Sequence, residues 1–212
     1  MKITHLNDTF PGVLIDNFYS DEELKLLWRE IDFLSSEKKI DYVGENDIHS
    51  RREDVSSATD NEGNFLRTGY YIWMDDVYSK REYSDILSVN RKVFLNFKPI
   101  FLDHPHWFFN TATCTEDRTL LSYYSNNDQY RKHNDGAYIT VLTWFYKEPK
   151  QFDGGDLIIY NNDEQTKIDL KNNRLIAFPS RLYHKVTPIV SEQSIQPWHG
   201  RYCMSQFLVR MG

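Results

Sequence analysis

Cysteine is almost missing from this chain: 212 residues hold only Cys114 and Cys203. Two thiols make no disulfide framework, so the fold must rest on burial, and a reducing cytoplasm is the simplest setting. No apolar run approaches the ~20 residues needed to cross a bilayer, so no membrane partner is expected. The opening "MKITHLNDTF" lacks the apolar stretch of a signal peptide. Positive charge is also short. Lys and Arg number 25 against 31 Asp and Glu, a formal charge of -6 with no long run of either sign. A nucleic-acid partner would call for a basic face, and none is expected. There is no repeat and no low-complexity linker, which points to one domain over residues 1–212.

What the chain does have is aromatic side chains, 14 Tyr, 13 Phe and 5 Trp. Flat rings pack well on a pleated surface, so a sheet-rich fold is expected. Residues 13–18, "VLIDNF", read as a strand. In "YSDEELKLLWREIDFL" Ser20 and Glu23 have capping-box spacing. Leu24, Leu27, Trp28, Ile31 and Leu34 recur at helical spacing and form one apolar face. Residues 36–64 are polar with few apolar anchors and read as a long mobile loop, a possible lid over a substrate. "FLRTGYYIWM" follows as a strand. Residues 77–102 read as one or two helices, with Ile86, Leu87, Val93, Phe94, Phe97 and Ile100 as core positions and a break near Pro99.

From about residue 107 the pattern changes to short strands: "WFFNTATCT", "TLLSYYS", "YITVLTWFY", "GGDLIIYN", "KIDL", "RLIAFPS", "HKVTPIV" and "RYCMSQFLVR". Asn-, Asp- and Gly-rich turns separate them, the spacing of a sandwich or barrel, of which the jelly roll is one form. Helices come first and strands second. The reading is therefore mainly β with flanking helices (α+β): a helix-rich part over 1–105, packed on one sheet of a core over 106–212.

Within "RKHNDG", His133 and Asp135 stand two apart, a spacing that on a strand puts both on one face. His184 lies 51 residues on, at the start of "HKVTPIV". Two imidazoles and one carboxylate can fill one face of an octahedron and leave the other open, the facial triad of non-haem Fe(II). Arg201 opens the last strand, and its forked guanidinium suits a carboxylate. Other features carry less. His104-Pro105-His106 has no carboxylate at a strand position and reads as a turn. His199 reads as surface, Cys203 as a small buried residue, and "GGDL" as a tight turn into a strand with no helix to bind phosphate.

In order, "LLSYYSNNDQYRKHND", "FDGGDLIIY", "NRLIAFPSRLYHKVTPI" and "GRYCMSQFLV" resemble the Fe(II)- and 2-oxoglutarate-dependent dioxygenases, specifically their prolyl 4-hydroxylase-like branch. "FPGVLIDNFYSDEELKLL" and "FLRTGYYIWM" are similar to that branch's opening elements. The resemblance implies a double-stranded β-helix, or jelly roll. It implies Fe(II) held by His133, Asp135 and His184, and 2-oxoglutarate anchored at its distal carboxylate by Arg201. It further implies O2 as oxidant, with ascorbate among the reductants to test. Tyr124 matches a tyrosine lining the cosubstrate pocket, and Tyr130 another of the active site. Ser205 and Phe207 share the face of Arg201, and Arg67 matches a residue near substrate.

Two departures follow from the same comparison. His184 and Arg201 are 17 apart, longer than the family's usual spacing, with "SEQSIQPWHG" as an enlarged loop. A family tyrosine is replaced within "TVLTW", where Thr143 or Trp144 must stand in; Thr143 is taken as the second cosubstrate contact. The activity implied is hydroxylation of a C–H bond with release of succinate and CO2, the substrate being a prolyl residue of a peptide or protein. A free amino acid or other small molecule is the alternative substrate, and a non-catalytic ligand-binding jelly roll the alternative class. Asp135 argues against halogenation, which needs a small residue there.

Overall fold

The computed structural model describes residues 1–36, 41–43, 62–63, 65–96, 100–101, 103–111, 113–192 and 194–210. Most of the stretch read as a lid thus lies outside the described residues, as do Phe97 and Pro99.

Strands β1 (Lys2–Leu6) and β2 (Gly12–Asp16) form an N-terminal hairpin; β1 is an element the sequence reading omitted. Helix α1 spans Asp21–Ser36, and the capping box forms: the Ser20 amide donates to Glu23 Oε2 at 2.7 Å and the Glu23 amide to Ser20 Oγ at 3.3 Å. Leu27, Ile31 and Leu34 are buried beneath it. A short strand β3 (Asp41–Val43) pairs with β4 (Gly69–Trp73), where polar composition had suggested loop throughout. Short helices follow: α2 (Met74–Val77), α3 (Asp85–Asn90) and α4 (Lys92–Leu95). Ser84 caps α3 by accepting from the Leu87 amide, and Ile86, Leu87 and Val93 enter the core. "WFFNT" is not a strand but helix α5 (Trp107–Thr111).

The rest is sheet. In chain order come β5 (Glu116–Tyr124), β6 (Tyr130–His133), β7 (Ile139–Phe145) and β8 (Asp153–Gly154). Then follow β9 (Leu157–Asn161), β10 (Glu164–Ile168), β11 (Arg174–Pro179) and β12 (Tyr183–Val186). The last two are β13 (Ile189–Val190) and β14 (Arg201–Val209). An antiparallel eight-stranded sheet runs β1-β2-β11-β7-β14-β5-β4-β3, facing a four-stranded sheet β10-β9-β12-β6, with β13-β8 as a separate pair. This is a jelly roll with helices on one sheet.

Strand β7 shows how the layers divide. Every residue in it is buried, so alternation is invisible in its polarity. Its odd positions Ile139, Val141 and Phe145 join the core under the helices; Leu142 and Trp144 join the core between the sheets. That second face is the floor of the site.

Candidate active site

The metal-binding geometry starts with strand pairing. His184 on β12 lies directly opposite His133 on β6. The two rings sit 4.2 Å apart between centroids, in the mouth between the sheets. Asp135 is two residues past His133 but outside β6. A loop rather than strand alternation brings it back, because its amide donates to the Ser180 carbonyl at 2.9 Å. Its carboxylate is then fixed from below: Thr140 on β7 has its hydroxyl 2.6 Å from Asp135 Oδ2 and 2.8 Å from Ser180 Oγ.

Each histidine is aimed by its own backbone. His133 Nδ1 lies 2.7 Å from the Arg131 carbonyl and His184 Nδ1 lies 2.9 Å from that of Leu182. A carbonyl only accepts, so Nδ1 carries the hydrogen and Nε2 offers its lone pair. His133 Nε2 is 3.8 Å from Asp135 Oδ1, His184 Nε2 is 3.4 Å from Asp135 Oδ2, and all three ligand atoms lie within 4.8 Å of one another. Burial, reinforced by neighbouring His184, pushes the His133 imidazole down to about 3, so the ring is neutral as a ligand must be. Tyr130 stacks on His133 at 3.5 Å and 10° and locks its plane.

A cavity of about 350 Å³ opens at this triad. Arg67, Tyr124, Tyr130, Ser205 and Phe207 all line it, so the structure brings these expected site residues together. Arg67 lies flat against Tyr71, with Cζ 4.0 Å from the ring centroid, and pairs with no carboxylate among the described residues. Burial raises Tyr124 and Tyr130, which keep their phenolic protons.

Arg201 stands behind the wall rather than on it. It is fully buried, with Cζ 5.0 Å from the Tyr124 ring centroid. Its Nε–H donates to the Gly155 carbonyl at 2.9 Å, while both Nη atoms are buried without a partner among the described residues. The enlarged loop before it does not displace the register. Trp198 packs on Tyr70 and Tyr123, and the Gly200 amide donates to the Tyr123 hydroxyl at 3.1 Å. Arg201 then pairs with Tyr124 across β14 and β5.

One expected residue is misplaced. Thr143 was taken as a cosubstrate contact, but it shares the helix-side face of β7 with Val141 and Phe145 and does not line the cavity. Leu142 and Trp144 hold the inner face instead. Three residues escaped the sequence reading. Thr140 had a signal, as a polar residue inside an apolar strand, whereas Ser180 lies in the turn just past β11. Gly155 had only the "GG" of a turn, yet a Cβ there would come 2.7 Å from Arg201 Cδ and Ile189 Cδ1. His104 and His199 are engaged elsewhere. His104 Nε2 serves the Leu6 and Gly12 carbonyls and its Nδ1 accepts from the His106 amide, while His199 sits beside Gln151.

This arrangement meets the comparisons with known proteins at the same residues. The model of the 2OG-Fe(II) oxygenase superfamily matches residues 119–209, from β5 through β14. Over that stretch, less than half of the chain, the sequence is similar to the superfamily. The PKHD-type hydroxylase YbiX of Escherichia coli O1:K1 / APEC is 29% identical over 97 residues, 41% of this chain. The same protein of Shigella boydii serotype 18 matches equally, and in both the match spans only 43% of the relative's length. Among solved structures, a Pseudomonas putida prolyl-4-hydroxylase superposes with a TM-score of 0.60 at 15% identity, covering 94% of this chain and 92% of that one. A Trichoplax adhaerens prolyl hydroxylase, solved with a hypoxia inducible factor peptide fragment, gives 0.64 at 15% identity, with coverages of 93% and 83%. At these identities the superpositions speak for the fold.

The matched superfamily implies Fe(II), 2-oxoglutarate and O2, and the residues present fit them. Two neutral imidazoles and one carboxylate are a donor set for ferrous iron. Two partnerless guanidinium nitrogens in a fully buried place call for an anion, since an unpaired buried charge is costly.

Proposed function

We propose that the chain is a 2-oxoglutarate-dependent hydroxylase acting on a prolyl residue of a peptide or protein. The observation that carries this reading is the pairing of a His133–Asp135–His184 cluster with a buried cation behind the same cavity, Arg201, whose two Nη atoms have no partner among the described residues. When bound, Fe(II) and 2-oxoglutarate supply the oxidation of a substrate C–H bond by O2, with release of succinate and CO2. The chain's own residues position and protect. His133, Asp135 and His184 would hold the metal, and Thr140 keeps the Asp135 carboxylate turned toward the imidazoles. Arg201 would anchor the diacid. Tyr71, Trp73 and Phe207 wall the mouth and exclude water from it. With Asp135 in place there is no room at the metal for a halide, so the product is an alcohol. The Trichoplax neighbour's peptide complex supports a peptide substrate here.

Anaerobic addition of Fe(II) and 2-oxoglutarate tests the assignment without a substrate. The wild type should develop a visible charge-transfer band and His133→Ala should not. A non-catalytic jelly roll would release no succinate under any condition. Proline-rich peptides screened by mass for a gain of one oxygen come next.

A second reading rests on Arg67. A guanidinium that pairs with no carboxylate among the described residues, held over Tyr71 on the cavity wall, also suits the carboxylate of a free amino acid or other small acid. A small acid would raise succinate release over the uncoupled rate, and Arg67→Leu would raise its KM while leaving the uncoupled rate intact.

A further inference from the structure

Six buried side-chain nitrogen or oxygen atoms among the described residues lack a hydrogen-bond partner. Three of them are Trp144 Nε1 and the two Nη atoms of Arg201. They come from neighbouring strands and gather at one point. Trp144 pairs with Cys203 across β7 and β14, and the Cys203 sulfur has both the indole N–H and the guanidinium as neighbours. Arg201 Cζ is 5.8 Å from the Trp144 ring centroid. Trp144 and Arg201 are wholly buried. A buried indole usually finds an acceptor for its N–H. Here its neighbour is the Cys203 thiol, a weak acceptor at best.

We propose that the Trp144 indole N–H is the second donor, beside the Arg201 guanidinium, for the distal carboxylate of the bound 2-oxo diacid. The inference rests on the dioxygenase reading and assigns the contact that Thr143, on the far face of β7, does not make. It also sets selectivity. The two partnerless groups are N–H donors, so an ionised carboxylate satisfies both. An amide at that end would bring an N–H to face an N–H, and 2-oxoglutaramate is refused. Trp144 is a positioning residue: it touches the end of the diacid remote from the metal.

The test compares two ligands on one protein. In anaerobic Fe(II) titrations Trp144→Phe should weaken 2-oxoglutarate about tenfold or more, the usual loss for a hydrogen bond to a charged group. It should leave 2-oxopentanoate, which lacks the distal carboxylate, unchanged. A parallel loss for both ligands, or for neither, overturns the inference. The wild type gives an independent measurement. Its five indole N–H groups are resolved by 15N NMR and assigned by Phe replacement of Trp28, Trp73, Trp107 and Trp198 in turn. With Zn(II) in place of iron, the remaining Trp144 signal should move downfield with 2-oxoglutarate and stay with 2-oxopentanoate. A Trp144 signal indifferent to both sinks the proposal even if the Phe variant does not fold. A wild type that binds no 2-oxoglutarate by either method overturns the dioxygenase reading and this inference together; binding with a silent indole overturns the inference alone.

Discussion

His184 Nε2 lies 3.4 Å from Asp135 Oδ2 although 49 residues separate the two in sequence, because the β12–β6 pairing carries one and the Ser180 carbonyl tethers the other. The donor set is therefore assembled by one strand pairing and by the loop that returns Asp135 to it.

Thr140 governs how well that set binds. Thr140→Val keeps the shape of the side chain but removes the hydroxyl at Asp135 Oδ2, leaving the carboxylate free to rotate. Loss of such an outer partner costs roughly 10- to 100-fold in metal affinity. Mn(II) titration followed by electron paramagnetic resonance should show a loss in this range, with thermal unfolding of the metal-free protein little changed.

Arg201→Met should separate stability from function. The substitution removes a fully buried cation with two partnerless nitrogens and strands only the Gly155 carbonyl. Relief of the unpaired charge outweighs one lost acceptor. The apo variant should gain ~1 kcal/mol, roughly 2–4 °C in Tm for a chain of this size. It should also lose the stabilisation that 2-oxoglutarate gives the wild type. A lower Tm in the apo variant would contradict this account.

Gly155→Ala probes the same cation from the other side. The backbone there has φ +74°, and the added Cβ would meet Arg201 Cδ and Ile189 Cδ1, both at 2.7 Å. Forcing a methyl into this packing costs about 1–3 kcal/mol. Denaturant unfolding should report that loss, and the KM for 2-oxoglutarate should rise as the guanidinium is pushed aside. Arg201 kinetics unchanged in a destabilised variant would mean the glycine serves only the turn.

Acid stability should depend on Asp16, which ties β2 to β11 through Arg174. The hydrogen-bonded Arg174 guanidinium holds its carboxyl below the usual 3.8, against an opposing effect of burial. A carboxyl with a depressed folded-state value stabilises above its unfolded value and loses that contribution as pH falls through the folded one. Asp16→Asn should therefore melt lower than the wild type at neutral pH, and the difference should shrink only below about pH 4. A gap independent of pH would place the effect in packing.

The fold was legible where local chemistry and burial agreed. Ser20 and Glu23 announce α1, and the turns of Asn and Asp mark most of the jelly-roll strands. It was not legible where tertiary packing decided. "WFFNTATCT" is aromatic enough for a strand, yet α5 forms there. β1 is too polar to be seen, since an edge strand need bury little, and β3 is three residues within a polar stretch. At the site, His133, Asp135, His184 and Arg201 stood out because their residue types match iron and a diacid. Thr143 misled because β7 is apolar on both faces: without alternation, nothing in "TVLTW" says which of two neighbours looks inward. Gly155 was invisible because its role is the room it leaves for another side chain.

The anchoring of Trp198 against Tyr70 and Tyr123 fixes the path into Arg201 independently of the length of the loop before Ile195, which itself packs on the core between the sheets. Since the indole and Gly200 re-fix that path immediately ahead of Arg201, residues added ahead of Ile195 carry a small entropic cost, and a reporter grafted there should leave the cation where it is.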